Sequence, residues 1–92
     1  MTEVTILAFA KFRELFGEKN IVTTDSNATI LAALERFAQT VPAACGELFE
    51  ENRLRGHVII MHNRERIDAE EAGEIIVRDG DEIVLYPPVS GG

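Results

Sequence analysis

The residues of this chain best suited to chemistry are its last six, Pro87-Pro88-Val89-Ser90-Gly91-Gly92. Two consecutive prolines fix φ and favour an extended, polyproline-like path. Six extended residues reach roughly 18–20 Å from the body that carries them. Gly91 and Gly92 lack a Cβ, so they can thread a narrow channel and bring backbone close to another protein's active site. The chemistry this permits centres on the carboxylate of Gly92. A carboxylate oxygen can attack the α-phosphate of ATP held by a partner. The acyl-adenylate so formed is an electrophile from which a persulfide or thiol can displace AMP.

The other reactive residue types make weaker constellations. Cys45 is the single cysteine, so an internal disulfide, a two-cysteine redox motif and a zinc ribbon are all excluded. It reads as a small buried hydrophobe rather than a sulfur acceptor. His57 and His62 fall on opposite faces of a regular strand, which disfavours a shared metal, and no metal or bound cofactor is expected. Glu50-Glu51 and Glu70-Glu71 lack a paired base and read as solvated surface. The chain carries sixteen acidic and nine basic residues, a net charge of -7. That balance argues against nucleic acid, whose phosphates need a basic footprint. The start, Met1-Thr2-Glu3, has no signal-peptide character, and no apolar run approaches the roughly 18 residues of a membrane span. A cytoplasmic setting is expected, with no membrane partner.

Something must position the tail. The 92 residues, 46% of them hydrophobic, suffice for one modest core. The expected division is a domain over residues 1–86 and a flexible tail over 87–92. Val4 to Ala10 is apolar on both faces: Val4, Ile6 and Ala8 on one, Thr5, Leu7 and Phe9 on the other. That suits a central strand, or one whose second face meets a partner. Arg13 to Lys19 reads as a turn or short helical loop, and Ile21 to Thr24 as a strand completing a hairpin. Thr29 is a natural N-cap for a helix in which Ile30, Leu31, Leu34, Phe37, Ala38 and Val41 recur at helical spacing, stopped by Pro42. A further short helix is expected over Ala43 to Glu51. Val58 to Met61 and Arg66-Ile67 read as strands about a tight Asn63-Arg64 turn, and Glu70 to Gly73 as loop. Asp79-Gly80-Asp81 is a turn, and Ile83 to Tyr86 the last strand.

One helix can cover only one face of such a sheet. The first and last strands are the most apolar and belong at its centre; as neighbours after this order of elements they run parallel. The fold class is therefore α+β, a β-grasp (ubiquitin-like) mixed sheet with one main helix. The bare face carries Leu7, Phe9, Val84 and Tyr86. They are either a partner interface, the favoured reading, or ordinary core beneath the Pro42–Arg55 segment.

The tail from Leu85 to Gly92, led by Asp79-Gly80-Asp81-Glu82, closely resembles the end of the small subunit of molybdopterin synthase, in the MoaD/ThiS family. Phe9-Ala10-Lys11-Phe12-Arg13-Glu14-Leu15-Phe16-Gly17 is similar to that family's first-strand and loop motif. The resemblance runs end to end, and the region from Pro42 to His57 with the tail looks like the archaeal branch, which includes protein modifiers. Thiamine sulfur carriers are usually shorter and lack the Pro-Pro-Val tail. The resemblance implies that an E1-like adenylating enzyme, using ATP, activates Gly92 and that sulfur transfer makes it a thiocarboxylate. The tail then enters the large synthase subunit and gives its sulfur to the molybdenum or tungsten cofactor precursor. An alternative is conjugation of Gly92 to lysines of target proteins. The small subunit has no catalytic side chain of its own. The family's contact face falls on Phe9 and Tyr86. A further family contact, often apolar, falls here on Arg66, and Asn63-Arg64 stands where Asn-Gly is usual, implying a different turn geometry.

Overall fold

The computed structural model describes residues 1–87. Its principal sheet has five strands in the order β2-β1-β7-β5-β6. These are β1 (Thr2–Ala8), β2 (Lys19–Thr24), β5 (Ile59–His62), β6 (Glu65–Ile67) and β7 (Asp81–Tyr86). β1 and β7 are adjacent and parallel, pairing Ile6 with Ile83 and Leu7 with Val84, in the central place their two-faced apolarity suits. β2 and β5 flank them in antiparallel register.

Helix α2 (Ile30–Thr40) covers one face. The Thr29 hydroxyl accepts the Ala32 N–H at 3.0 Å, satisfying one of the amides a helix start leaves unpaired. Ile30, Ala33, Leu34 and Phe37 are fully buried on its inner side, against Val4, Ile6, Ile83 and Leu85 of the central strands. Each large side chain so buried contributes about 1.5–3 kcal/mol. Helix α1 (Lys11–Phe16) adds Phe12 and Phe16, which stack on each other; Phe16 meets Phe37 edge to face at 5.6 Å.

Several expectations need correcting. β1 ends at Ala8 rather than Ala10, because Ala10 turns to φ 55, where a strand cannot continue. Pro42 does not merely stop α2: it opens α3 (Pro42–Leu48), occupying the helix start where its missing N–H costs nothing. Cys45 is exposed, not buried. Ala44 and Leu48, four apart, take the inner face of α3, and Cys45 is rotated away from it. The sequence from Phe49 to Leu54 is a two-stranded ribbon, β3 (Phe49–Glu50) with β4 (Arg53–Leu54), turning through Glu51 and Asn52 at φ 52 and 65. Glu50 also has a basic partner, Arg55, at 3.7 Å. Glu70 to Gly73 is not loop: α4 (Ala69–Ala72) is held by a capping box in which the Asp68 carboxylate accepts the Glu71 N–H and Glu71 accepts the Asp68 N–H. Finally, Asn63 and Arg64 have φ 48 and 75. Two positive φ values in a two-residue hairpin are the geometry Asn-Gly itself adopts, so the turn takes that shape despite the arginine.

Candidate functional site

The site begins with the sheet face that α2 leaves open. The Pro42–Arg55 segment does not cover it, since α3 packs on α2 and α1. Register aligns Leu7 of β1 with Val84 of β7, Val84 with Met61 of β5, and Met61 with Arg66 of β6. On the other side Leu7 faces Lys19 of β2. The next row toward the end of β7 holds Tyr86 beside Ile59. Leu7, Met61, Ile59 and Tyr86 are half-buried and Arg66 is exposed. Val84 is buried, although it lies on the open face, because it is the middle residue of the middle strand, with Leu7 and Met61 on either side.

Phe9 completes the group. It lies just past β1, and its N–H donates to the Leu85 carbonyl at 3.2 Å, extending the parallel ladder by one step. Its ring stacks on Tyr86, centroids 5.0 Å apart and planes 14° from parallel. Ala10, at φ 55 and ψ -133, then swings the chain into α1. That conformation is strained for a residue with a Cβ. The strain sits beside the most exposed aromatic ring of the face, Phe9, 37% exposed.

Tyr86 is the last residue of β7 and Pro87 follows it, half-buried and outside the strand. The aromatic pair therefore stands at the root of the tail. Pro88, Val89, Ser90, Gly91 and Gly92 lie outside the described residues. Strand alternation brought Leu7, Phe9, Val84 and Tyr86 onto one surface and the family resemblance added Arg66; the strand pairings and the Phe9–Tyr86 stack place them there together. It missed Met61, Ile59 and Ile21, the last 59% exposed and paired with Thr5. Strand alternation in β2 and β5 carried that signal, but only the register shows which phase faces outward.

The far end of the same strands is held by a polar cluster. Asp81 accepts hydrogen bonds from Asn63 Nδ2 at 3.1 Å and the Arg78 N–H at 2.9 Å, and shares one with His62 Nε2 at 2.8 Å. Burial pushes the Asp81 carboxyl up, but the hydrogen bonds from His62, Asn63 and Arg78 outweigh it and hold the group below its ordinary value. Asn63 Oδ1 in turn accepts the Glu82 N–H at 2.9 Å. His62 is thus committed to Asp81, while His57 lies in the turn before β5. The cluster clamps β5 to β7 in the register that sets Ile59 beside Tyr86 at the opposite end.

A mixed five-stranded sheet, parallel at its centre, grasping one main helix and bearing an aromatic pair where its last strand ends, defines a ubiquitin-like β-grasp protein. The chain belongs to the ThiS family, whose model matches residues 6–92. It is 30% identical to small archaeal modifier protein 3 of Haloferax volcanii, over 98% of this chain and 99% of that one. It is 34% identical to the molybdopterin synthase sulfur carrier subunit of Haemophilus influenzae, over 97% of this chain and 99% of the relative. Among solved structures, SAMP1 from Haloferax volcanii superposes with a TM-score of 0.87 at 30% identity, covering 98% of this chain and 99% of that one. The complex of subunits 1 and 2 of molybdopterin-converting factor from Helicobacter pylori gives 0.65 at 25% identity, covering 99% and 100%. Among the described residues, no helix is long and apolar enough to cross a membrane.

Proposed function

We propose that this chain is a cytoplasmic sulfur carrier, the small subunit of a molybdopterin synthase, working through the carboxylate of Gly92. An E1-like adenylating enzyme binds the open sheet face and takes the tail into its ATP site. A Gly92 carboxylate oxygen attacks the α-phosphorus and pyrophosphate leaves. A persulfide on a sulfur donor then attacks the acyl carbon and AMP leaves; a second donor thiol cleaves the S–S bond of the acyl disulfide, which leaves the thiocarboxylate on Gly92 and a disulfide on the donor. In the large synthase subunit, the same tail delivers its sulfur to the cofactor precursor. The chain's own side chains do not take part in bond making; they dock and aim.

The observation that carries this reading is the stacked Phe9–Tyr86 pair, with half-buried Leu7, Ile59 and Met61 around it, at the root of a tail ending in Gly91-Gly92. Apolar, partly exposed aromatic anchors are what a docking face needs, and their place beside Pro87 couples docking to tail insertion.

The names of the archaeal relatives favour a second use of the same activated carboxylate. A lysine ε-amine could replace the sulfur nucleophile, giving an isopeptide bond from Gly92 to a target protein. Mass spectrometry on material from the native host separates the two. Replacement of one oxygen by sulfur in the intact chain supports the carrier. Conjugation instead leaves tryptic peptides branched at lysine with the segment Asp79 to Gly92, because Arg78 is the last tryptic site. Absence of both the sulfur-for-oxygen mass gain in the intact chain and the branched peptides in the host's other proteins, under conditions where the cofactor is being made, contradicts both.

A further inference from the structure

The open face is apolar along its centre but carries charge in a definite order. Its central row runs Lys19, Leu7, Val84, Met61, Arg66 across all five strands. The cations occupy the two edge strands, and four strand spacings separate them by about 19 Å. Both are exposed. Among the described residues neither makes an ion pair, which they share with Arg36, Arg53, Arg64 and Arg78, so both are free to meet a partner's charge. Toward the beginning of β1 the same face turns acidic, with Glu3 and Glu82. Toward the tail it ends in Phe9 and Tyr86. What sets these two apart is their placement, one on each edge strand of an apolar row, in a chain of net charge -7.

We propose that Lys19 and Arg66 read two carboxylates that flank an apolar strip on the E1-like adenylating enzyme, so that charge sets the register in which this face docks. The inference rests on the reading that this face docks that enzyme, the partner which sulfur carriage and conjugation share. If the face slides toward the beginning of β1, those carboxylates leave the two cations and approach its acidic end, Glu3 and Glu82, so only one register satisfies them. Rim charges of this kind act chiefly on association rate and on register rather than on the lifetime of the complex. The apolar row supplies that lifetime.

The test is stopped-flow association of the full chain with the E1-like enzyme from the same genome, at about 0.1 M and about 1 M salt, where the screening length falls from about 10 Å to about 3 Å. Lys19→Glu with Arg66→Glu is compared with Arg36→Glu plus Arg53→Glu, which changes net charge equally using exposed residues outside this sheet. Melting curves confirm that both pairs fold. The expected result is association slowed by about tenfold or more for the first pair at low salt, less than about twofold for the second, and a deficit that closes at high salt. Equal slowing by both pairs would reduce the effect to net charge and overturn the proposal, as would no slowing by either. Tyr86→Ala distinguishes the two levels. If it speeds dissociation while the charge reversals do nothing, the docking face stands and the charge reading falls. If it leaves binding at the wild-type level, the docking reading itself fails.

Discussion

Phe9 and Tyr86, at opposite ends of the chain, stack with ring centroids 5.0 Å apart because β1 and β7 run parallel and side by side. The contact makes the tail's root part of a surface rather than a free end of strand. Truncating either ring should therefore injure binding more than folding. Phe9→Ala or Tyr86→Ala is expected to cost about 2 kcal/mol or more of affinity for the E1-like enzyme or the large synthase subunit. The accompanying loss of stability should be smaller. Calorimetric titration beside denaturant unfolding checks this, and a stability loss as large as the affinity loss would make the pair core.

Ala10 holds the turn between Phe9 and α1 at φ 55, a region open to glycine but strained for alanine. Ala10→Gly should relieve that strain by about 1 kcal/mol, offset in part by the greater freedom glycine gives the unfolded chain. The expected outcome is an unchanged or slightly raised urea midpoint, whereas Ala10→Val should lower it clearly. A midpoint for the glycine variant well below that of the wild type would contradict the strained geometry.

Asp81 supplies a pH dependence whose sign follows from its partners. Its carboxyl is held below the ordinary value, against the opposing effect of burial, by His62, Asn63 and the Arg78 amide. The folded chain thus binds fewer protons there than the unfolded chain. Stability from this group is full above the ordinary aspartate pKa near 4 and is lost as pH falls through the lowered folded value. Asp81→Asn should cost about 1–3 kcal/mol at neutral pH. The wild type should lose more stability than this variant between about pH 5 and 2. Urea titrations across that range test it; parallel profiles would show that the carboxylate charge contributes nothing.

The core and the tail should separate cleanly. Phe37 is fully buried and meets Phe16 edge to face. Phe37→Ala is expected to cost about 3–5 kcal/mol of stability, whether or not the tail is present.

Much of this architecture could be read from residue order. The α2 helix followed from the spacing of Ile30, Leu34 and Phe37 and from Thr29 as its cap, both local signals. The central place of β1 and β7 followed from their apolarity on both faces, and their parallel direction from the order of elements. What could not be read depended on tertiary pairing or on unusual turn residues. Glu51-Asn52 and Asn63-Arg64 adopt positive φ without a glycine, so neither hairpin announced its geometry. In the second, the Asn63 side chain, bonded to the Glu82 N–H and to Asp81, holds the turn in place of the missing glycine's freedom. Polar composition hid α4, although Asp68 and Glu71 stand at capping-box spacing. For the candidate site, alternation picked out Leu7, Val84 and Tyr86, but the row that joins them to Lys19, Met61 and Arg66 exists only in the register.

ATP–pyrophosphate exchange with the cognate E1-like enzyme tests whether Gly92 is the reacting residue. The reacting carboxylate must sit about 3–3.5 Å from the α-phosphorus, and a misplacement near 1 Å can cost on the order of a hundredfold. Deleting Gly92 withdraws it by about 3 Å, and adding a residue beyond Gly92 locks its carbonyl in a peptide bond. The full chain should support exchange, both variants should abolish it, and all three should melt alike. Exchange at the wild-type rate by the chain lacking Gly92 would contradict sulfur carriage and protein conjugation together.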